Sequence, residues 1–403
     1  MWELIQANKR RSILLFIGMG IILILLGYFF GLTFLGEQGG PFGVFLALII
    51  WSVLSLISYF AGSKVILSLS NAKEVTKDVH PQLFNIVEEM TIASNLPKMP
   101  KIFIVNEQAP NAFATGRNPE NSVVAVTAGL LSQLNRDELQ GVIAHEIAHI
   151  INRDILFMTF AGIMLGAIVI ISEIFLRGYW FGGSSLNRYK NKSGGGQEQI
   201  IIMVVALVFS ILAPILARFL YFAISRKREY LADASGVRLT RYPEGLASAL
   251  EKLSQNRFNL RSANKATAGM YIVNPLKKKG KQISNLSSTH PPLTERIKIL
   301  RGMMHGADFA DYQTSYNKTK NNSENIIPPS GLKTTKDIPI LGDIIPTANL
   351  TEKETQRKLG NIVMGVNGYS FYNCNCGVTI KVPPTLENQT VKCPRCGEVK
   401  VKN

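Results

Sequence analysis

No cysteine occurs in the first 373 residues, so no disulfide can staple that part of the chain. This excludes a disulfide-built secreted scaffold and agrees with a reducing compartment. Histidine is also scarce, with five in 403 residues. Acidic residues are outnumbered, 28 Asp and Glu against 44 Lys and Arg, for a net charge of +16. No internal repeat is apparent. A cationic chain invites a nucleic-acid reading, yet the mean hydropathy is +0.14. The two properties coexist when apolar runs are segregated from charged ones, and here the lysines and arginines sit beside such runs. Lys9, Arg10 and Arg11 precede one, and Arg226, Lys227 and Arg228 follow another. The membrane explains this charge, and nucleic acid is not the expected partner.

Four segments read as bilayer spans: Ser12 to Leu35, Pro41 to Gly62, Ile155 to Leu176 and Ile200 to Ile224. Each reaches the ~20 residues that a helix needs to cross the hydrocarbon layer. The first has no small-residue cleavage site at its end and reads as an uncleaved anchor. Its basic flank places the N-terminus in the cytoplasm, with Glu37 to Gly40 as a short external turn. The loop after the third run carries Arg177, Arg188, Lys190 and Lys192, unusual for an external loop. A spanning hairpin is still favoured over a pair of helices lying on the surface.

The soluble part begins near residue 70. Leu83, Ile86, Val87 and Met90 have helical spacing, Ile102 to Val105 reads as a buried strand, and Asn111 to Val126 reads as a hairpin turning at 117–121. A helix is expected from Asn135, an N-cap with Glu138 three residues on. That helix carries His145-Glu146-Ile147-Ala148-His149, an H-E-x-x-H motif. Residues four apart lie one turn above each other, so both imidazoles can reach one metal ion while Glu146 faces a water. Zinc lowers the pKa of such a water to about 7, and Glu146 would take its proton and return it to the leaving amine.

A catalytic zinc needs a third protein ligand, for which Glu173 and Glu229 compete. Glu173 lies inside an apolar run, where a carboxylate is costly. Glu229 lies beyond the second apolar pair, with Asp233 one turn later and able to orient a ligand histidine. Glu229 is the expected ligand. His80 and His305 have no motif around them and read as surface residues.

The run from His145 to Asp154, the Glu229-x-x-x-Asp233 pair, His290-Pro291-Pro292 with Arg296, and Asn111-Ala112-Phe113-Ala114 resemble the HtpX-type membrane metalloproteases, relatives of the CAAX prenyl proteases. The resemblance covers residues 1–305. It implies a mainly α membrane protein, with four transmembrane helices and a cytoplasmic α+β gluzincin-like domain at the inner membrane of a cell. It also implies zinc held by His145, His149 and Glu229, and His290 beside the reacting carbonyl. Substrates would be damaged, misassembled or unfolded membrane polypeptides, with residues 111–126 offering them a strand edge. A CAAX-type processing protease is the nearest other reading, and a non-catalytic membrane scaffold is the third.

The remaining cysteines, Cys374, Cys376, Cys393 and Cys396, form two pairs, each followed by glycine. They resemble a zinc ribbon whose four thiolates would close a structural zinc site, with one residue between the first pair where two is usual. Such a ribbon could serve as a docking module for a protein partner or substrate. The expected division is a transmembrane hairpin over 1–69, a protease domain over 70–305 interrupted by the hairpin 155–224, a flexible linker over 306–366, and the ribbon over 367–403.

Overall fold

The computed structural model describes residues 2–36, 38–181, 196–256, 258, 270–273, 290–303, 306–321, 324–332, 351–386 and 391–400. Two long apolar helices open the chain, α1 (Trp2–Leu35) and α2 (Gly39–Leu69). Glycines set their close approach. A methyl group on Gly31 would stand 1.9 Å from the carbonyl oxygen of Gly39, and one on Gly43 would stand 2.0 Å from that of Gly27. Only bare backbone fits there, as in other tightly packed membrane helix pairs.

The soluble layer alternates strands and helices: β1 (Ala72–Glu74), α3 (Pro81–Ala93), β2 (Lys101–Val105), β3 (Ala112–Gly116), β4 (Ser122–Thr127), α4 (Ala128–Gln133) and α5 (Arg136–Ile151). The sheet order is β1-β2-β4-β3, with β2 and β4 parallel and the outer pairings antiparallel. Strand β3 is therefore an edge. All four apolar residues picked out for α3 are buried, and the hairpin turns where expected. The N-terminus of α5 has both halves of its capping box, Asn135 to the Glu138 N–H and Glu138 back to the Asn135 N–H.

A three-residue joint leads from α5 into α6 (Ile155–Phe181). Helix α7 (Gly196–Thr240) follows, then α8 (Pro243–Gln255), α9 (Leu293–Arg301) and α10 (Phe309–Lys320). Helices α1 and α2 and parts of α6 and α7 are long and apolar enough to cross a membrane. Leu14, Phe45, Phe60 and Ile174 among others point outward from them, an arrangement that suits lipid and not water. The loop bearing Arg188, Lys190 and Lys192 lies outside the described residues, as does His305.

Three expectations need correction. The helix bearing the last apolar run does not stop at Ile224: α7 runs unbroken for 45 residues from the apolar layer into the soluble domain, with Pro214 inside it. The expected linker over 306–366 does not describe 306–332. Phe309, Tyr312, Tyr316 and Ile327 are buried in the same core as α3, α5 and α8. Lys320 lies 2.5 Å from Glu295 on α9, and Lys227 on α7 pairs with Glu324. Further on, α11 (Glu352–Val366) packs Leu359, Ile362, Val363 and Val366 against that core. It leads into two small antiparallel pairs, β5 (Ser370–Asn373) with β6 (Thr379–Val382) and β7 (Val391–Lys392) with β8 (Val399–Lys400). His80 is not a surface residue but a half-buried N-cap of α3, its Nδ1 accepting the Leu83 N–H at 3.1 Å.

Candidate active site

Helix α5 is buried along nearly its whole length, which brings His145, Glu146 and His149 to 0, 1 and 3 % exposure. Helix α7 crosses it so closely that a methyl group on Gly236 would stand 3.1 Å from the His145 backbone nitrogen. Glu229, two turns back along α7, is thereby placed over both imidazoles. His145 Nε2 is 3.6 Å from one Glu229 oxygen, and His149 Nε2 is 3.5 Å from the other. One ligand atom from each of the three residues lies within 4.8 Å of the others.

These residues fit a metal ion. His145 Nε2 and Glu229 Oε2 are buried without any hydrogen-bond partner, a costly state for polar atoms unless something sits between them. The opposite ring nitrogens are engaged. His145 Nδ1 lies 2.9 Å from Asp233 Oδ1, and His149 Nδ1 lies 3.2 Å from Asp154 Oδ2. A carboxylate on Nδ1 keeps the proton there and leaves the Nε2 lone pair free for the metal.

A second layer of charge holds the carboxylates. Arg296 grips Asp233 with Nη2 at 2.6 Å and Nε at 2.8 Å, and its Nη1 lies 3.5 Å from Glu229. Arg228 stands 3.6 Å from Asp154, stacks over the Phe157 ring at 3.7 Å and donates to the Ser12 hydroxyl at 3.0 Å. The sequence reading assigned no role to Asp154 or Arg228. Asp154 left one signal, its position just past the end of the metal-binding helix. Arg153 before it has φ +60°, the sharp turn that folds Asp154 back onto His149.

Burial pushes the Glu146 carboxyl above its ordinary range, opposed by the nearby histidines and by an Ala114 backbone N–H. His290 is buried beside Glu229, with Nε2 at 3.6 Å. Burial lowers its pKa to about 4, aided by Arg296 and the two histidines and opposed by Glu229. Burial thus favours the neutral imidazole, which can donate a hydrogen bond. Glu173 stands apart, exposed on α6 and roughly 27 Å along the helix from Ile155. At the sheet edge, Ile272 donates its N–H to the Ala112 carbonyl at 2.9 Å. The Asn111 side chain meets both the N–H and the C=O of Val273, at 3.2 and 2.8 Å.

The cysteines form a second, separate cluster. Cys374 and Cys396 sulfurs are 3.2 Å apart, Cys376 and Cys393 sulfurs 3.6 Å apart, and all four are free thiols. Gly377 and Gly397 take φ of +83° and +79°, closing the turn after each pair. Backbone N–H groups of Cys396 and Arg395 lower the Cys393 thiol to about 6, while the other three thiols are raised, Cys374 chiefly by its hydrogen bond to Glu398. The donor set fits a closed metal site.

Comparison with known proteins agrees with this geometry. Residues 77–304 match the model of peptidase family M48. The "Protease HtpX homolog" of Dictyoglomus thermophilum is 44% identical over 302 residues, covering 75% of this chain and 94% of that protein. The protein of the same name from Streptococcus uberis is 41% identical over 310 residues, covering 75% of this chain and all of its own length. The crystal structure of S. mikatae Ste24p aligns with 74% of this chain and 67% of its own at 18% identity and a TM-score of 0.38, too slight a likeness to carry an argument. The chain belongs to peptidase family M48 and is a metallopeptidase of the membrane.

Proposed function

We propose that the chain is a zinc endopeptidase that hydrolyses damaged, misassembled or unfolded membrane polypeptides from the cytoplasmic face of a cell's inner membrane. The observation that carries this is the convergence of His145, His149 and Glu229, with unpartnered buried atoms facing one point beside the carboxyl of Glu146. Zinc held by those three side chains would supply a Lewis acid for the scissile carbonyl and acidify a water at neutral pH. Glu146 receives the proton of the attacking water and passes it to the leaving amine, a role suited to a carboxyl whose pKa burial has raised. His290 is placed to donate a hydrogen bond to the developing oxyanion. Asp154, Asp233 and Arg296 hold the imidazoles in one tautomer and orientation.

An extended substrate would add to the outer edge of β3, where Ile272 is the described residue whose backbone already pairs with it, at Ala112. Backbone pairing of that kind binds with little side-chain selectivity, as a quality-control protease requires. The basic residues before the first span, and the absence of cysteine from the protease portion, support the cytoplasmic orientation. Cys374, Cys376, Cys393 and Cys396 would hold a second, structural zinc in a ribbon that serves as a docking module for a protein partner or substrate.

The test compares the wild type with Glu146→Gln in detergent. Both should carry about two zinc ions per chain, and the variant's cleavage of an unfolded membrane protein should drop by at least ~10²-fold. Equal cleavage by both would overturn the mechanism. Metal lost from Glu173→Ala but kept by Glu229→Ala would overturn the ligand assignment.

A further inference from the structure

A cavity of about 820 Å³ opens where α1, α2 and α6 meet the turn between β3 and β4. Its size lies within the roughly 300–1,000 Å³ typical of ligand sites. None of the metal-site residues lines it, and neither does any carboxylate. Arg10 from α1, Arg117 from the β3–β4 turn and Arg153 from the α5–α6 joint all do. Among the described residues none of the three has an ion-pair partner. Three like charges around one space repel each other, and an anion between them would turn that cost into a gain.

The positions of these arginines along the chain matter as much as their charge. Arg10 stands two residues before Ser12, where the apolar run of α1 begins, and Arg153 stands two residues before Ile155, where that of α6 begins. They therefore lie at the depth where a bilayer keeps its phosphates. Below them the wall becomes apolar, with Phe16 and Phe160 packed at 4.7 Å between ring centres and Phe157 beside them. One polar group stays unsatisfied in this wall. The Ser58 hydroxyl, 2 % exposed, has no hydrogen-bond partner, whereas Ser55 one turn away donates to the Trp51 carbonyl at 2.6 Å in the manner usual for membrane helices. A buried hydroxyl in such a place needs an acceptor brought from outside, and a glycerol ester carbonyl is one.

We propose that this cavity binds one anionic phospholipid, with its phosphate among Arg10, Arg117 and Arg153, an ester carbonyl at Ser58 and acyl chain against Phe16 and Phe160. A free phosphate would leave the aromatic wall unused. A zwitterionic lipid would bring no net charge to three cations. An apolar peptide segment would fill the lower part and leave the arginines uncompensated.

The proposal is tested on the full chain carrying Glu146→Gln, which cannot digest itself, by native mass spectrometry in detergent. The probes are phosphatidylglycerol and phosphatidylcholine of identical acyl chains, with glycerol phosphate as a headgroup-only arm. One phosphatidylglycerol per chain should be retained at least roughly tenfold more tightly than phosphatidylcholine, at about fivefold per arginine. Adding R10Q, R117Q and R153Q together should abolish the preference, and the corresponding lysine substitutions should restore most of it. Equal retention of the two lipids would overturn the proposal, as would a preference that survives the triple glutamine change. Displacement of the lipid by an equal concentration of glycerol phosphate would reassign the cavity to a free anion. Displacement of both lipids alike by an apolar helical peptide would reassign it to substrate entry. Should the triple variant fail to fold, R117Q alone, in an exposed turn, should still weaken phosphatidylglycerol about fivefold, and unchanged binding there would be decisive against the site.

Discussion

His145 and His149 are each fixed by a carboxylate on the ring nitrogen that faces away from their common centre, but the two carboxylates differ in what else they hold. Asp233 is gripped by Arg296 through two short hydrogen bonds, while Asp154 has Arg228 at a looser 3.6 Å. Asp154→Asn and Asp233→Asn should each lower zinc affinity by ~10–100-fold, measured by competition with a chelator. Asp233→Asn should cost more stability in thermal unfolding than Asp154→Asn, since it breaks two short charge-assisted hydrogen bonds to the buried Arg296, whereas the Asp154–Arg228 contact is looser and leaves Arg228 its Phe157 and Ser12 contacts. The contrast traces what the sequence could reveal at this scale. Asp233 was legible because it follows Glu229 by one helical turn. Asp154 was not, because its approach to His149 depends on a backbone reversal at Arg153, which no periodicity signals. His80 was misread because no motif marks its cap on α3, and its half-burial depends on packing that the local sequence does not show. Burial first, and then the charge of Lys358, keep its pKa below the usual value of 6.5. The unfolded chain therefore binds a proton that the folded chain resists, and stability should decline as pH falls below about 6.5, levelling off once the pH drops below the folded-state pKa. His80→Asn keeps a capping side chain without the titration. Its melting temperature should fall less between pH 7 and pH 5 than that of the wild type.

Among the elements, the contact between α5 and α7 sets the distance from the imidazoles to Glu229. A side chain at Gly236 would press on the backbone of the other helix, which cannot turn aside. Gly236→Ala should cost about 1–3 kcal/mol and weaken zinc retention, whereas an alanine at Gly360, which has open space around it, should change neither. Thermal unfolding and metal content of the two variants check this. Helix α5 was readable from sequence almost to its ends, since its cap, apolar stripe and metal ligands are all local features. The continuity of α7 was not, because Arg226, Lys227 and Arg228 look like the end of a span. Arg228 is in fact buried against Phe157 and Ser12, so the helix carries its charge inward and goes on. The stretch 306–332 was misread because its composition is polar, although Phe309, Tyr312 and Tyr316 recur at helical spacing behind the Asp308–Asp311 capping box.

In the whole molecule, two cores meet at the sheet: one joins the membrane helices to Phe113, Val123 and Ala125, and the other joins the metal-bearing domain to the tail that leads to the cysteine cluster. Leu359 on α11 anchors the tail against the protease body, with Lys73 reaching Asn367 at 2.9 Å beside it. Leu359→Asp should loosen the tail, seen as faster cutting within 352–366 by an added protease, while peptide cleavage stays within about twofold, because α11 packs mainly on α4 and not on the helices that carry His145, His149 and Glu229. The long helix α7 has a further consequence, which concerns time. During synthesis His145 and His149 leave the ribosome 84 and 80 residues ahead of Glu229. Until α7 has followed, the chain holds two imidazoles and no third ligand. Because Glu229 is borne on the same rigid helix as the last apolar segment, that ligand arrives only with a helix ready for the bilayer. A chain released before α7 should therefore hold metal only weakly at His145 and His149, and completion of the site waits on the last apolar segment.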